Sequence, residues 1–400
     1  MTVRKKILVI LPDVPFPPRK NGLALRYYPL LQHLAKKFEL DLAVFLYGDQ
    51  DSLPRGGELD ACAHRIIPLR ASTSSASVLR KLLIQWVRVL PFGVPFSYYD
   101  YNADSITPQL RELLSGSTYD AVLWVSVSHV LQACLPLLSG QRLLIDAVDS
   151  ITLHAIRNTS NTSPLRRLHT HKMLRWEAAL IRHARKAFYI SPVDLQLIAP
   201  HVAAVTSLEV APNGILLEDY SNARVELKSP CLGFLGNMSY RPNIDAVHRL
   251  HALYASIKPE MPALTVCVIG RDPDPSLDAY AQDPDFVFTG TVDSVWPYVN
   301  AVDLFVMPMC KGAGQQNKLL EVMYAGRPVV SSSIANGGVQ AIDGESVVIA
   351  DDAESLRSAV LTLLQNVEQR EKIGAQGARF VRDRYSWDQV AERFARSLVE

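Results

Sequence analysis

No stretch of this chain approaches the roughly 18 consecutive apolar residues needed to cross a bilayer. No charge of one sign dominates it either: 41 Lys and Arg stand against 40 Asp and Glu, a formal charge of +1. The first lack disfavours an integral membrane protein. The second removes the strong positive field on which nucleic-acid binding rests. Cysteine is sparse. Five are scattered singly (Cys62, Cys134, Cys231, Cys267, Cys310), odd in number and without a CxxC or Cys/His spacing for zinc. They read as buried thiols of a reducing compartment. Neither G-x-x-x-x-G-K-[ST] nor a G-x-G-x-x-G after the first apolar run occurs, which disfavours a P-loop NTPase and a dinucleotide dehydrogenase. The bias of disorder is missing as well, since 48% of residues are hydrophobic and 20% charged.

Four hundred residues exceed what one core usually takes, and charge divides along them. Residues 1–200 hold 24 Lys/Arg against 15 Asp/Glu, a sum of +9; residues 201–400 hold 17 against 25, a sum of −8. Two domains with different partners are expected. Short apolar runs alternate with amphipathic stretches throughout. KILVIL (6–11), LDLAVFLY (40–47), HRIIPL (64–69), DAVLWVS (120–126), RLLIDAV (142–148) and AFYIS (187–191) read as buried strands of the first half. LGFLG (232–236), LTVCVIG (264–270), FVFTG (286–290), DLFVMP (303–308), PVVSS (328–332) and SVVIA (346–350) repeat the scheme in the second. Helical periodicity covers 22–38, 243–257, 315–325 and 353–384. The N-terminus fits a first strand better than a signal peptide, because Asp13 and a Pro-rich loop follow its short apolar run.

The fold class is therefore α/β, with two Rossmann-like doubly wound parallel-sheet domains. The expected division is 1–206, 207–385 and a C-terminal helix, 386–400, that returns to the first domain. Ligands of such sheets bind outside the carboxyl ends of the strands, so a cleft between the domains is the expected site. The stretch 79–96, with Arg80, Lys81 and Arg88 among Leu, Ile, Trp and Phe, suits an anionic membrane surface as well as a helix packed in a cleft. The basic stretch 157–186 suits a lipid-diphosphate acceptor or an anionic membrane as well as a solvated helical face.

Two strand-end loops carry chemistry. In DVPFPPRKNGLALR (13–26), Asn21-Gly22 opens a helix, and Gly22 lets the backbone approach a ligand while Arg19, Lys20 and Arg26 add positive charge. In MPMCKGAGQQNKLLEVMYAGRPVV (307–330), Gly312 and Gly314 lie between a buried strand and a helix, an arrangement that cradles phosphate oxygens. Gln316, Asn317, Lys318 and Glu321 follow. A carboxylate suits the two hydroxyls of a ribose, and the lysine suits a diphosphate.

The segment AGQQNKLLEVMYAGRPVVSS resembles the donor-site segment of family-4 retaining glycosyltransferases of the GT-B fold. VAPNGI resembles that family's interdomain turn, LGFLGNMSYRPNIDAV the first strand and loop of its donor domain, FTGTVDSVWPYVNAVDLFVMP a later stretch, and YSW (385–387) the start of its last helix. The resemblance covers most of 207–400 and, less fully, 5–40. It implies transfer of a sugar from a nucleotide diphosphate to an acceptor hydroxyl, with retention at the anomeric carbon. The donor would lie on the second domain. A carbohydrate or lipid-linked acceptor would lie against the first, near Arg19, Arg26 and Asp149. Glu321 corresponds to the Glu that holds the ribose. The turn from Gly290 to Val292 meets the base, the Gly22 loop the phosphates or sugar, and His129, in WVSVSHVL, the reacting centre. Three departures stand out: Ala313 replaces the first Glu of E-x7-E, and Asn237 and Asn243 fall where the family has Arg and Lys. Asn317 or Gln316 would then supply the sugar contact, and Arg241, Lys318 and Arg271 the missing positive charge.

Front-face transfer is the expected mechanism, with His129, Lys318 and Arg241 as its catalytic groups. Neither a metal nor a resident cofactor is expected, although Asp272-Pro273-Asp274 resembles a D-x-D and His248 and His251 lie three apart. A nucleotide-sugar 2-epimerase and a catalytically silent sugar-nucleotide binder are the rival readings. The expected location is cytoplasmic, possible contact with the inner membrane face included, and no nucleic-acid partner is implied.

Overall fold

The computed structural model describes residues 4–18, 20–47, 59–71, 103–157, 164–202, 206–215, 217, 220–312 and 314–400, the side chain of Leu165 excepted. Arg19, Ala313 and the basic stretch 79–96 lie outside the described residues. The chain divides into two units: residues 1–214 with 387–400, and residues 215–386.

In the first unit β1 (Lys6–Leu11), α1 (Gly22–Leu34), β2 (Glu39–Tyr47), β3 (Arg65–Ala71), α2 (Ala103–Ser115), β4 (Ala121–Val125), α3 (His129–Leu138), β5 (Leu143–Val148), α4 (Ile151–Arg157), α5 (Pro164–Ile181), β6 (Lys186–Tyr189), α6 (Pro192–Ile198) and β7 (Ser207–Val210) build a seven-stranded sheet. Its order is β3-β2-β1-β4-β5-β6-β7, and every pairing is parallel. Strands buried on both faces explain why these runs are almost wholly apolar rather than alternating.

The second unit holds β8 (Cys231–Leu235), α7 (Arg241–Ile257), β9 (Thr265–Ile269), β10 (Phe286–Phe288), α8 (Trp296–Ala301), β11 (Leu304–Met307), α9 (Asn317–Tyr324), β12 (Val329–Ser331), α10 (Ser333–Asn336), β13 (Val348–Ile349), α11 (Ala353–Gln365) and α12 (Val367–Arg384). Six parallel strands run in the order β10-β9-β8-β11-β12-β13. Each sheet reverses its strand order beside its first strand, at β1/β4 and at β8/β11. The crevice at such a switch point is where these folds bind ligands.

The last helix, α13 (Trp387–Val399), belongs to the first unit. Its Val390, Ala391, Phe394 and Leu398 are buried in the same core as Leu30, Leu31 and Leu34 of α1. Two boundaries differ from the sequence reading. The first unit extends to Gly214 because β7 pairs with β6 as the outermost strand of its sheet. The helical pattern 353–384 is two helices, broken where the side chain of Asn366 accepts from Gln369 N and caps the second.

Candidate functional site

The second unit assembles a loop cluster at the carboxyl ends of β8, β9 and β11. Gly236 follows β8 and Gly270 follows β9, and their backbones nearly touch. A Cβ at Gly270 would fall 1.8 Å from Gly236 O, and its φ of +146° also calls for glycine. Asn237 folds the loop on itself, its Oδ1 accepting from Ser239 N and Ser239 Oγ, both at 2.8 Å. Asn243, on the first turn of α7, donates from Nδ2 to Asn237 O at 2.7 Å. After β11, Gly312 (φ +123°) and Gly314 (φ +68°) turn the chain into α9. A Cβ on Gly338 would lie 2.3 Å from Gly314 O, so that loop too is held against backbone.

Helix α9 buries Leu319, Leu320, Val322 and Met323. The 3.6-residue period therefore gathers Asn317, Lys318 and Glu321 on its other side, and all three are half-buried. The Lys318 ammonium reaches across to Asn243, donating to its Oδ1, with Met309 Sδ at 3.6 Å and the Phe234 ring centroid at 4.7 Å. Among the described residues no carboxylate lies within 4 Å of it. Burial pushes this ammonium down to about 7, against the pull of the Glu321 carboxylate.

The other two cations named from sequence are committed differently. Arg241 is exposed and pairs with Asp245 at 3.1 Å, while Arg271 pairs with its neighbour Asp272 at 3.4 Å. Of the three residues expected to replace the family's loop cations, Lys318 is the one brought to Asn243. Val292 is half-buried in the turn after Gly290 (φ +65°), and Thr289 Oγ1 donates to Gly290 O at 3.0 Å. His248 and His251 form an aromatic group with Tyr280: His248 Nδ1 lies 2.8 Å from Tyr280 OH, and His251 stacks on the Tyr280 ring at 3.7 Å.

In the first unit, Asn21 accepts from Ala24 N at 2.9 Å and so caps α1; its Nδ2 donates to Asp13, which also pairs with Lys20 at 2.9 Å. Gly22 has open space where a side chain would stand. His129 opens α3 beside the cap Ser128, at the carboxyl end of β4. Arg26, expected at an acceptor, is only 1% exposed. Its Nε pairs with Asp146 at 2.9 Å, and its Nη1 donates to Ala211 O and Asn213 Oδ1 at 2.8 and 3.0 Å. This guanidinium serves the interior, which corrects the acceptor role.

Asp149 follows β5 with an accessible side chain. Desolvation by the protein around it, with Asp194 and Asp146 nearby, raises its carboxyl to about 7. Beside it lies a group the sequence reading passed over. Glu177 of α5 is fully buried and accepts from Ser150 Oγ at 3.1 Å, Thr152 N at 3.1 Å, Thr152 Oγ1 at 2.6 Å and Tyr189 OH at 3.1 Å. Asp194 accepts from Ser150 N at 2.9 Å and from Ser191 Oγ. Ser191-x-x-Asp194 has the spacing of a helix-capping pair and was open to detection. Glu177 in WEAAL gave only the anomaly of one acid inside an apolar run.

Burial raises Glu177 from 4.5 to about 7, overcoming the donors that favour its charged form. The folded state then holds a proton that the unfolded chain releases, so stability falls as pH rises from about 4.5 through 7. Glu177→Gln should flatten that fall by about 2–3 kcal/mol. Urea unfolding at pH 5 and pH 8 measures it, and an unchanged slope between the two would remove Glu177 as its source.

Residues 229–366 match the family described as "Glycosyl transferases group 1". A phosphatidyl-myo-inositol mannosyltransferase of Mycobacterium leprae is 30% identical over 195 residues, 46% of this chain. The match spans 51% of that relative, about half its length. Sucrose-phosphate synthase of Thermosynechococcus elongatus superimposes with a TM-score of 0.73 at 15% identity, covering 98% of both chains. Anabaena HepE in complex with UDP gives 0.68 at 14% identity, covering 98% of this chain and 99% of its own. The chain thus has the GT-B fold, and its second unit carries the sequence pattern of the group 1 glycosyl transferases.

Proposed function

We propose that this protein is a retaining glycosyltransferase that moves a sugar from a nucleoside diphosphate to an acceptor hydroxyl. The observation that carries the reading is the Lys318 ammonium, presented by α9 at Asn243 beside the Gly236–Asn237 loop. A leaving diphosphate gains negative charge as the C–O bond breaks, and a cation held in a partly dry site stabilises that charge more than water does. Loop N–H groups at Gly312 and Gly314 would share the phosphates, Glu321 would hold the ribose hydroxyls, and Gln316 and Asn317 would meet the sugar. In front-face transfer the acceptor oxygen bonds to the anomeric carbon on the side from which the diphosphate departs. Its proton passes to a departing phosphate oxygen. His129 would position the reacting hydroxyl, and Asp149 would accept from another hydroxyl of the acceptor.

The UDP bound by Anabaena HepE supports UDP as the first donor base to try. The relative named for phosphatidyl-myo-inositol supports a lipid-linked acceptor, as do the exposed Arg167, Arg175, Arg182 and Arg185 on and after α5. Among the described residues no helix is long and apolar enough to cross a membrane.

The purified chain should release nucleoside diphosphate from one member of a UDP-, GDP- and ADP-sugar panel only when an acceptor is added. Isomerised donor without acceptor would mean an epimerase, and binding without turnover a silent protein. Glu321→Ala should weaken nucleotide binding roughly 10–100-fold, the worth of a charge-assisted pair of hydrogen bonds. Full affinity in a titration of that variant sinks the ribose role.

A further inference from the structure

The second unit has an open surface hollow of about 600 Å³ that the donor reading does not use. It is formed where the Gly326–Arg327 turn, which joins α9 to β12, runs against one side of α12 from Glu371 to Asp383. That turn feeds the amino end of β12, whereas the Lys318 cluster gathers at the carboxyl ends of the strands. The two places are at opposite ends of one sheet. The close fit of turn and helix is fixed by glycine, since a Cβ on Gly374 would fall 2.2 Å from Gly326 O.

Three guanidiniums line the hollow: the half-buried Arg327 and, on the exposed side of α12, Arg379 and Arg382. Among the described residues none of them has a carboxylate within 4 Å, although Glu371 and Asp383 share the same walls. Arg327 is half-buried, and its hydrogen bonds, to Ala325 O and Asn300 O, are both long at 3.4 Å. Desolvation, then Arg224, works against its charge. Arg382 lies over the Tyr324 ring at 5.1 Å, a contact that fixes the plane of the guanidinium and leaves its donors open. Carbonyls after α9 and on α8 thus occupy Arg327 in part, and the Asp303 carboxylate offsets its desolvation without pairing with it among the described residues.

We propose that this hollow is a second anion site, which takes a phosphomonoester of sugar-phosphate size on Arg327, Arg379 and Arg382. Planar guanidinium forks match phosphate oxygens in pairs, and the volume lies within the range of small-ligand pockets. Glu371 and Asp383 favour a ligand that carries hydroxyls beside its phosphate and disfavour an extended polyanion such as nucleic acid. The site does not depend on the transferase reading.

The test is calorimetric titration of the full chain with inorganic phosphate and with glucose 6-phosphate, at ionic strength matched with potassium chloride. Each is run with and without saturating UDP, which separates this site from any phosphate binding at the donor loops. Saturable binding that persists under UDP is expected, tighter for the sugar phosphate. The double variant R379Q/R382Q should lose at least 10-fold in that affinity while keeping the parent's UDP titration and melting temperature. If that pair unsettles the fold, Arg382→Lys alone, which keeps the charge and loses the fork, should weaken binding several-fold. Absence of saturable binding, or affinity unchanged in these variants, overturns the site. Should UDP fail to bind at all, the donor reading fails while the arginine variants still decide this one.

Discussion

Replacing Lys318 with methionine is expected to lower kcat about 100–1000-fold and, in the same variant, to make the protein more stable. The rate loss is the usual consequence of removing one preorganised group aimed at charge that develops in the transition state. The stability gain has a separate cause. This ammonium is enclosed by an aromatic ring, a thioether and an amide, and burial disfavours its charge more than the Glu321 carboxylate favours it. Methionine keeps an apolar stem against Phe234 and Met309 and removes the charge, a gain of about 1–3 kcal/mol. The pH dependence fixes the origin. With its pKa lowered from 10.5 to about 7, Lys318 binds a proton less readily in the folded state than in the unfolded one. Wild-type stability should therefore rise as pH climbs from about 7 towards 10.5, and the methionine variant should lack that rise. A variant that loses both activity and stability would mean that Lys318 holds the loop together. Unaltered turnover would remove it from the chemistry.

Local pattern decides which parts of the fold and of the site are legible in the sequence. Runs such as KILVIL and LTVCVIG announce strands of a parallel sheet because both faces are covered, and the order of the runs suffices for a doubly wound fold. The seventh strand is different. Its residues Ser207–Val210 show the burial pattern exposed, intermediate, intermediate, exposed, so in sequence an edge strand of this mixed character does not stand apart from a linker. Glu321, Asn317 and Lys318 were legible because helical spacing puts them on one side of α9. The partner of Lys318 was not. Asn243 lies 75 residues away in sequence, and only parallel pairing of β8 with β11 brings their loops together.

Charge counted along the chain misled in one place and guided in another. Arg241 and Arg271 looked as suitable as Lys318 for a diphosphate, yet each has a carboxylate partner on its own local segment. An arginine with an aspartate four residues on along a helix, as Arg241 has in Asp245, is often spoken for, and that spacing is visible before any fold is known. The basic run 157–186 is likewise not one solvated face. Lys172 is buried within it, and Lys186 is 10% exposed and pairs with Glu209 at 2.7 Å. Four arginines of that run, Arg167, Arg175, Arg182 and Arg185, are exposed.

Arg26→Met should cost about 3–5 kcal/mol of stability, because it strands Asp146 without a cation in the interior. Asp146 has no exposed surface. Its Oδ2 accepts from Arg26 Nε and, at 2.5 Å, from Tyr27 OH, and its Oδ1 accepts from Val148 N at 3.0 Å. The same guanidinium ties down Ala211 and Asn213, the last residues before Gly214, where the first unit ends. Gly214 is itself pinned, since a Cβ there would fall 2.6 Å from the Trp387 ring. Loss of Arg26 thus frees the chain where it leaves the unit and leaves a buried carboxylate with hydroxyl and amide donors alone. In a double-mutant cycle, Arg26→Met with Asp146→Asn should cost less than the sum of the two single changes, by about 2 kcal/mol or more. Urea unfolding followed by tryptophan fluorescence gives all four values. An Arg26→Met protein within about 1 kcal/mol of wild type, but with a raised KM for acceptor, would return this residue to the binding role that its burial denies.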